Sequence, residues 1–400
     1  MIKVKFIFFV YLYMFFLSCN NLTRIPENHV AKDENIISIL PNKEDLKPID
    51  LTPYLDSVKY VKLELTDESI IGSIDKLIIY EERIYILDTK TRSLFIFDME
   101  GRYLHKIARV GQGPGEYIHL DFFDIDRENK QIVLTDLMAY WVMRYDMDGK
   151  FLFRQKIPIW CEGVSLLPNK GIVLYANFRN NSDKLTQEYN IIYLDSAMNY
   201  KKAYFPYSSK NFNIKISTSV AGHFYHFKDH LNFSFPNGSA VYQLNDDSLI
   251  SKYKFDLGKD FLSIENIENT KQYMNYYENN KHNGIWGYVM ENDELLFFSL
   301  KIKEHPYILT VYYSKKTGKS LLSFLFMIEK GFSIIHPQYG YDSWIVSEEI
   351  QASSLREWKN SFPKESIAST GRYTKSRLKL AEELTDDDNP VLMFFKLKEF

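Results

Sequence analysis

Short runs of five to seven residues, apolar or alternating apolar and polar and rich in Ile, Val, Tyr and Phe, recur along most of the chain between turn-forming residues. That pattern predicts strands and hairpins. The first clear block holds Arg83-Ile-Tyr-Ile-Leu-Asp88, Leu94-Phe-Ile-Phe-Asp98 and Gly101-Arg-Tyr-Leu104. The second holds Gln131-Ile-Val-Leu-Thr-Asp136, Trp141-Val-Met-Arg-Tyr-Asp146 and Gly149-Lys-Phe-Leu152. Asp88 and Asp136, Asp98 and Asp146, Gly101 and Gly149, and Leu104 and Leu152 are each separated by 48 residues. A unit of about 40 to 50 residues with four strands is the signature of a propeller blade.

With fading fidelity the unit continues over 163–207, 218–258 and 284–327, and a last one has 331–337, 341–347 and 391–397. The fold class expected is therefore all-β: a six-bladed β-propeller with four-stranded antiparallel blades and a small helical insertion in the last blade. Segment 58–65 alternates like a strand, yet the first blade is already full. It is expected to pair with 391–397, complete the last blade and leave no open sheet edge. The insertion, at about 350–388, is expected to hold two helices, with a serine cap at 353–354 followed by Glu357, and helical spacing of Leu378, Leu380, Ala381 and Leu384 over 376–384.

The N-terminus reads differently. Lys3 and Lys5 precede an apolar run over 6–17, too short to span a bilayer as a helix, then Ser18 and Cys19. Residues 1–18 are expected to be a signal peptide. Phe16-Leu17-Ser18-Cys19 resembles a bacterial lipobox, which implies lipidation of Cys19 and a lipid anchor in the membrane; Phe16 departs from the usual Leu. Residues 19–50, polar with Pro26, Pro41 and Pro48, are expected to be a flexible tether, and 51–400 the propeller.

Composition narrows the function classes. Aromatic residues make up 16% of the chain, with 29 Tyr and 29 Phe, which favours strands. Cys161 is the one cysteine besides Cys19, so with Cys19 acylated no intramolecular disulfide forms. The net charge of -3 becomes -5 once Lys3 and Lys5 are removed, which argues against nucleic acid as a partner.

Strand parity sorts the connections by face. The turns at 81–82, 99–102, 127–130, 147–150, 168–170 and 315–319 are short and share one face, whereas 108–120, 177–188, 259–283 and 348–389 are long and share the other. A site is expected on the long-loop face, at the channel mouth.

Candidate chemistry is sparse. Gly111-Gln-Gly-Pro-Gly115 matches neither a dinucleotide fingerprint nor a P-loop, and reads as a tight crossing between blades. If it binds something, the groups at hand are Arg109, Gln112, Glu116 and Tyr117. His223, His226 and His230 do not share one strand face, and Asp124-Ile-Asp126 and Asp386-Asp-Asp388 lack a full calcium-loop pattern and read as solvated turns. No Gly-x-Ser-x-Gly elbow occurs. No catalytic residue, metal site or cofactor is assigned.

The blocks over 83–104 resemble the repeats of NHL-type propellers. The segment Arg109-Val-Gly-Gln-Gly-Pro-Gly-Glu-Tyr117, with Phe122-Phe-Asp-Ile-Asp126 and the distant Asn389-Pro-Val-Leu392, is similar to the six-bladed β-propeller lipoproteins of Bacteroides-type bacteria. The resemblance implies export to the outer membrane, on its periplasmic or cell-surface side, and leaves the function open. Three functions compete: a module that binds a glycan, peptide or envelope protein, an envelope hydrolase or lyase acting at the channel mouth, and a scaffold subunit.

Overall fold

The computed structural model describes residues 22–400 except 27, 41–46, 168–170, 213, 215–222, 265–266, 274–281, 330–331 and 335–336. The expected signal peptide and Cys19 lie outside the described residues.

Each of the two clear repeats folds as a meander. The first blade runs Lys76–Tyr80, Arg83–Asp88, Ser93–Asp98 and Tyr103–Ile107, and the second Phe122–Asp126, Gln131–Asp136, Trp141–Asp146 and Phe151–Lys156. The repeated aspartates are turn staples. Asp98 Oδ1 accepts from the amides of Glu100 and Arg102 at 3.0 and 2.9 Å, and Asp146 Oδ1 from those of Asp148 and Lys150 at 3.1 and 2.8 Å. Gly101 and Gly149 take φ of +83° and +82° there, the left-handed region that glycine enters freely. The third blade keeps the staple through Asp195 but places Met198 at φ +69°, so the glycine that marks the repeat in sequence is gone while the turn survives.

The third blade spans Gly163–Leu166, Ile172–Tyr175, Glu188–Leu194 and Tyr200–Tyr207, the fourth Phe224–Phe227, His230–Ser234, Ala240–Leu244 and Leu249–Asp256, and the fifth Gly284–Glu291, Leu295–Lys301, Ile308–Ser314 and Ser320–Ser323. A sixth sheet follows that the repeat pattern did not contain. Phe326–Ile328 pairs antiparallel with Phe332–Ile334 and parallel with Ile49–Asp50. The seventh blade is Pro337–Tyr341, Trp344–Ile350, Val391–Leu397 and Leu55–Lys62.

The count is thus seven blades, and the expected six is corrected. The extra blade is small, three-stranded, and packed between the fifth and seventh, where Phe326, Ile328 and Phe332 share a core with Phe297, Tyr312, Met393 and Phe395. Its strands are two or three residues long, too short for any periodicity, and one comes from far upstream.

The predicted closure is present. Val391 to Leu397 pairs antiparallel with Lys62 to Leu55, so the chain's two ends share one sheet. Asn389 clamps the joint: its Nδ2 donates to Glu64 O at 2.9 Å and Ser69 O at 2.7 Å, and its Oδ1 accepts from the Ile71 amide at 3.0 Å.

The insertion is two helices, α1 (Ala352–Ser361) and α2 (Arg372–Glu383). Neither start has a side-chain cap, so the serine cap read from 353–354 is absent. Ala352, Leu355, Ala381 and Leu384 pack with Val391 and Tyr60, holding the pair against the outer strands of the seventh blade.

The expectation of a flexible tether over 19–50 also changes. Ala31–Ser38 adds a fifth strand to the fourth blade, parallel to Leu249–Asp256. Upstream, the Thr23 amide donates to Lys184 O at 2.9 Å, the Thr186 amide donates to Thr23 O at 3.1 Å, and Ile25 is buried against the third blade. Backbone ladder bonds hold this strap, and they need no apolar side chains, which is why its polar sequence read as coil.

Candidate functional site

The first strands of the larger blades surround the central channel, and by strand parity each enters it from the face with the long connections. Lys76 opens the inner strand of the first blade, and Asp124, Ser165 and His226 are each third on the inner strands of the second, third and fourth. These four residues meet. The Asp124 carboxylate accepts from the Ser165 hydroxyl and from the Leu166 amide at 3.2 Å, and lies 3.1 Å from His226 Nε2. Lys76 Nζ donates to Phe123 O at 2.9 Å, beside it.

Burial by itself would push the Asp124 carboxyl up. The facing His226, then Lys76 and the Ser165 hydroxyl outweigh it and hold the group well below the usual carboxylate range. Burial pulls the Lys76 ammonium down, with Asp124 opposing. Lys76, His226 and Tyr339 are enclosed by protein yet keep some solvent-accessible surface, as side chains lining a narrow passage do.

His223, just before the inner strand of the fourth blade, packs on Tyr175 at 4.3 Å between ring centroids. Burial, with repulsion from Lys76, lowers its pKa to about 3. Burial lowers His282 to about 4. Both are neutral in the folded protein at neutral pH and free to protonate once unfolded. Their stabilising effect is therefore present above the unfolded histidine pKa of about 6.5 and is lost as pH falls toward the folded values, by up to about 1.4 kcal/mol per pH unit for each. Urea unfolding of His223→Phe should show a shallower loss of stability between neutral pH and about pH 4 than the parent. An unchanged slope would mean that His223 is not the buried neutral group described.

A second buried cluster ties the fourth and fifth blades away from these residues. Glu291 accepts from Lys252 Nζ at 2.6 Å, Lys315 Nζ at 3.2 Å and the Tyr225 hydroxyl at 3.3 Å. Every donor finds its acceptor here, so we read it as a structural tie.

Arg109, Gln112, Glu116 and Tyr117 lie elsewhere. Tyr117 is buried, its hydroxyl donating to the carbonyls of Arg92 and Ile107 at 2.9 and 3.1 Å, and burial raises its pKa to about 12. Glu116 Oε2 accepts from the Gly113 amide at 2.8 Å, and Arg109 Nη2 donates to Gly149 O at 3.3 Å. Gly115 has φ +73° and lies against Phe151, while its carbonyl accepts from Tyr145. The glycine segment is a closed turn seated on the outer strands of the second blade, away from the channel mouth; Arg109 and Gln112 keep exposed ends there.

Asp124 and Asp126, read as solvated turns, are buried strand residues, Asp126 paired with Arg144 at 2.7 Å. Asp388 does cap a turn, accepting from the Thr385 amide at 2.7 Å. Among the described residues no three or more His, Cys, Asp or Glu side chains gather as a metal site would require. Sequence reasoning missed Lys76, Asp124, Ser165 and His226 as a group because they come from four blades. The available signal was a charged residue set inside the apolar run at 122–125.

The fold and site define a seven-bladed β-propeller with a polar cluster on its inner strands. Residues 34–396 match a family described as a domain of unknown function, DUF4934, and the chain belongs to that family. The structure is similar to that of a Bacteroides fragilis protein inferred to be exported, with a TM-score of 0.68 at 19% identity, covering 91% of this chain and 100% of that one. A DUF4221 family member from Bacteroides vulgatus aligns at 0.47 and 9% identity over 86% and 97% of the chains. Virginiamycin B lyase of Staphylococcus aureus aligns at 0.38 and 12% identity over 73% and 81%. The first likeness supports the fold alone, and no argument rests on the other two. None of the curated proteins matches the chain.

Proposed function

We propose that this chain is an exported, lipid-anchored binding module of the cell envelope whose ligand enters the channel from the long-loop face. The observation that carries this reading is the convergence of Lys76, Asp124, Ser165 and His226 from four inner strands, one of them a desolvated ammonium. Lys76 and His226 keep accessible surface where an entering ligand can meet them, whereas the Glu291 carboxylate is sealed between two blades. The donors suit an acceptor-rich ligand such as a glycan or a peptide carboxylate. A screen of the mature domain against envelope glycans and peptides should give a ligand that binds the parent and not His226→Ala. Equal binding by both would remove the channel from the account.

A second reading is an envelope hydrolase or lyase, favoured by the 3.1 Å contact of His226 with Asp124, since a carboxylate that orients an imidazole is how a general base is built. The same assay separates the two, because a binding module returns its ligand unchanged.

The anchor is assigned to Cys19. No helix among the described residues is long and apolar enough to cross a membrane. Cys19→Ser should move the protein out of the membrane fraction, and mass spectrometry of the parent should find lipid on that residue. A variant that fractionates like the parent would refute the anchor.

A further inference from the structure

We infer that the long-loop rim of the second and third blades lies against the membrane surface, an inference that rests on the acylation of Cys19. The strap fixes where the anchor can be. A free tether over 19–50 would let the propeller wander about 30 Å from its lipid, by the scaling of flexible chains. Thr23, however, is fixed by two backbone bonds to the 184–186 turn, and Ile25 is 3% exposed among Ile157, Ile159 and Leu185. Only residues 20–22 separate Cys19 from that fixed point, and four steps of chain reach at most about 14 Å. The anchor therefore sits close to the 184–186 turn, which parity places on the long-loop face.

That rim has the chemistry of a lipid headgroup contact. Tyr140 and Trp160 meet edge to face at 5.1 Å, and Lys184 and Lys156 lie over the Tyr140 ring at 4.9 and 5.4 Å. Trp141 carries Lys156 at 4.7 Å. Rings with an apolar body beside lysines with a long stem and a charged head suit the boundary between acyl chains and water.

Around them, Met138 is 58% exposed, Leu22 41% and Ile118 40%. Met138 and Ile118 are neighbours, because the Asp136 carboxylate staples both turns, accepting from the Ala139 and Ile118 amides. Lys156 and Lys184, held over the Tyr140 ring, place two cations at this aromatic cluster, where anionic headgroups would meet them. With the rim down, the long-loop mouth of the channel opens beside the bilayer, and its ligand is one met at the membrane surface.

The test uses the full lipidated protein with Met138→Cys carrying an environment-sensitive nitrobenzoxadiazole label. A Glu100→Cys control sits in an exposed turn on the opposite face. Cys161 is buried and does not compete for the label. On vesicles of phosphatidylcholine and phosphatidylglycerol, the Met138→Cys label should shift to the blue with a several-fold rise in intensity, while the Glu100→Cys label stays as in water. A protein that floats with the vesicles while both labels report water overturns the orientation. A protein that fails to float because Cys19 bears no lipid overturns the inference through the anchor, and the flotation result tells the two apart.

Discussion

Deleting residues 389–400 should unfold the whole ring. The lost strand, Val391–Leu397, buries Val391, Leu392, Met393, Phe394, Phe395 and Leu397, and it alone joins Leu55–Lys62 to the rest of the seventh blade. At about 1.5–3 kcal/mol per buried side chain the loss is on the order of 10 kcal/mol, comparable to the entire stability of a typical domain. The Asn389 clamp goes with it. Loss of a cooperative melt by circular dichroism is the expected result, and Phe395→Ala alone should reduce stability by about 3–5 kcal/mol. A truncated protein melting within a few degrees of the parent would show that the ring is not held by this closure.

The second large effect concerns Asp124. Asp124→Ala leaves the Lys76 ammonium without its facing carboxylate and removes the acceptor of Ser165 and of the Leu166 amide. Breaking a buried charge network from one side destabilises by about 3–5 kcal/mol, whereas removing both charges is much milder. Lys76→Met combined with Asp124→Leu should thus be closer to the parent than Asp124→Ala, which urea unfolding at neutral pH measures. Acid acts through the same group. Because the folded carboxyl titrates lower than the unfolded one, its contribution is complete above about pH 4 and is lost as pH falls below that. Additive effects of the two substitutions would mean that the charges do not sense each other.

Much of the fold was legible because the first two blades repeat their turn chemistry in register. Asp98 with Gly101, and Asp146 with Gly149, encode the same stapled turn, and the alternation at 58–65 exposed a strand without a place in its own blade. The rest was hidden for physical reasons. Ala31–Ser38 is an edge strand held by backbone bonds, with Ile37 buried while Ile36 is 67% exposed, so little in its composition marks it. The sixth blade is too short to show a period.

The candidate site was hidden most fully. Asp124 and His226 are 102 residues apart, and nothing near either one names the other. The glycine segment drew attention because it is local, and its hydrogen bonds close on itself.

Ligand binding inside the channel at Lys76, Asp124, Ser165 and His226 can be watched directly at the imidazole. With ring-labelled histidine, a titration of the domain with a ligand from the screen reports each of the nine histidines by its own carbon resonances. The His226 resonances should move and saturate with the binding curve, while those of exposed His29 and His230 stay in place. Saturating shifts at His29 or His230 with His226 unmoved would contradict it.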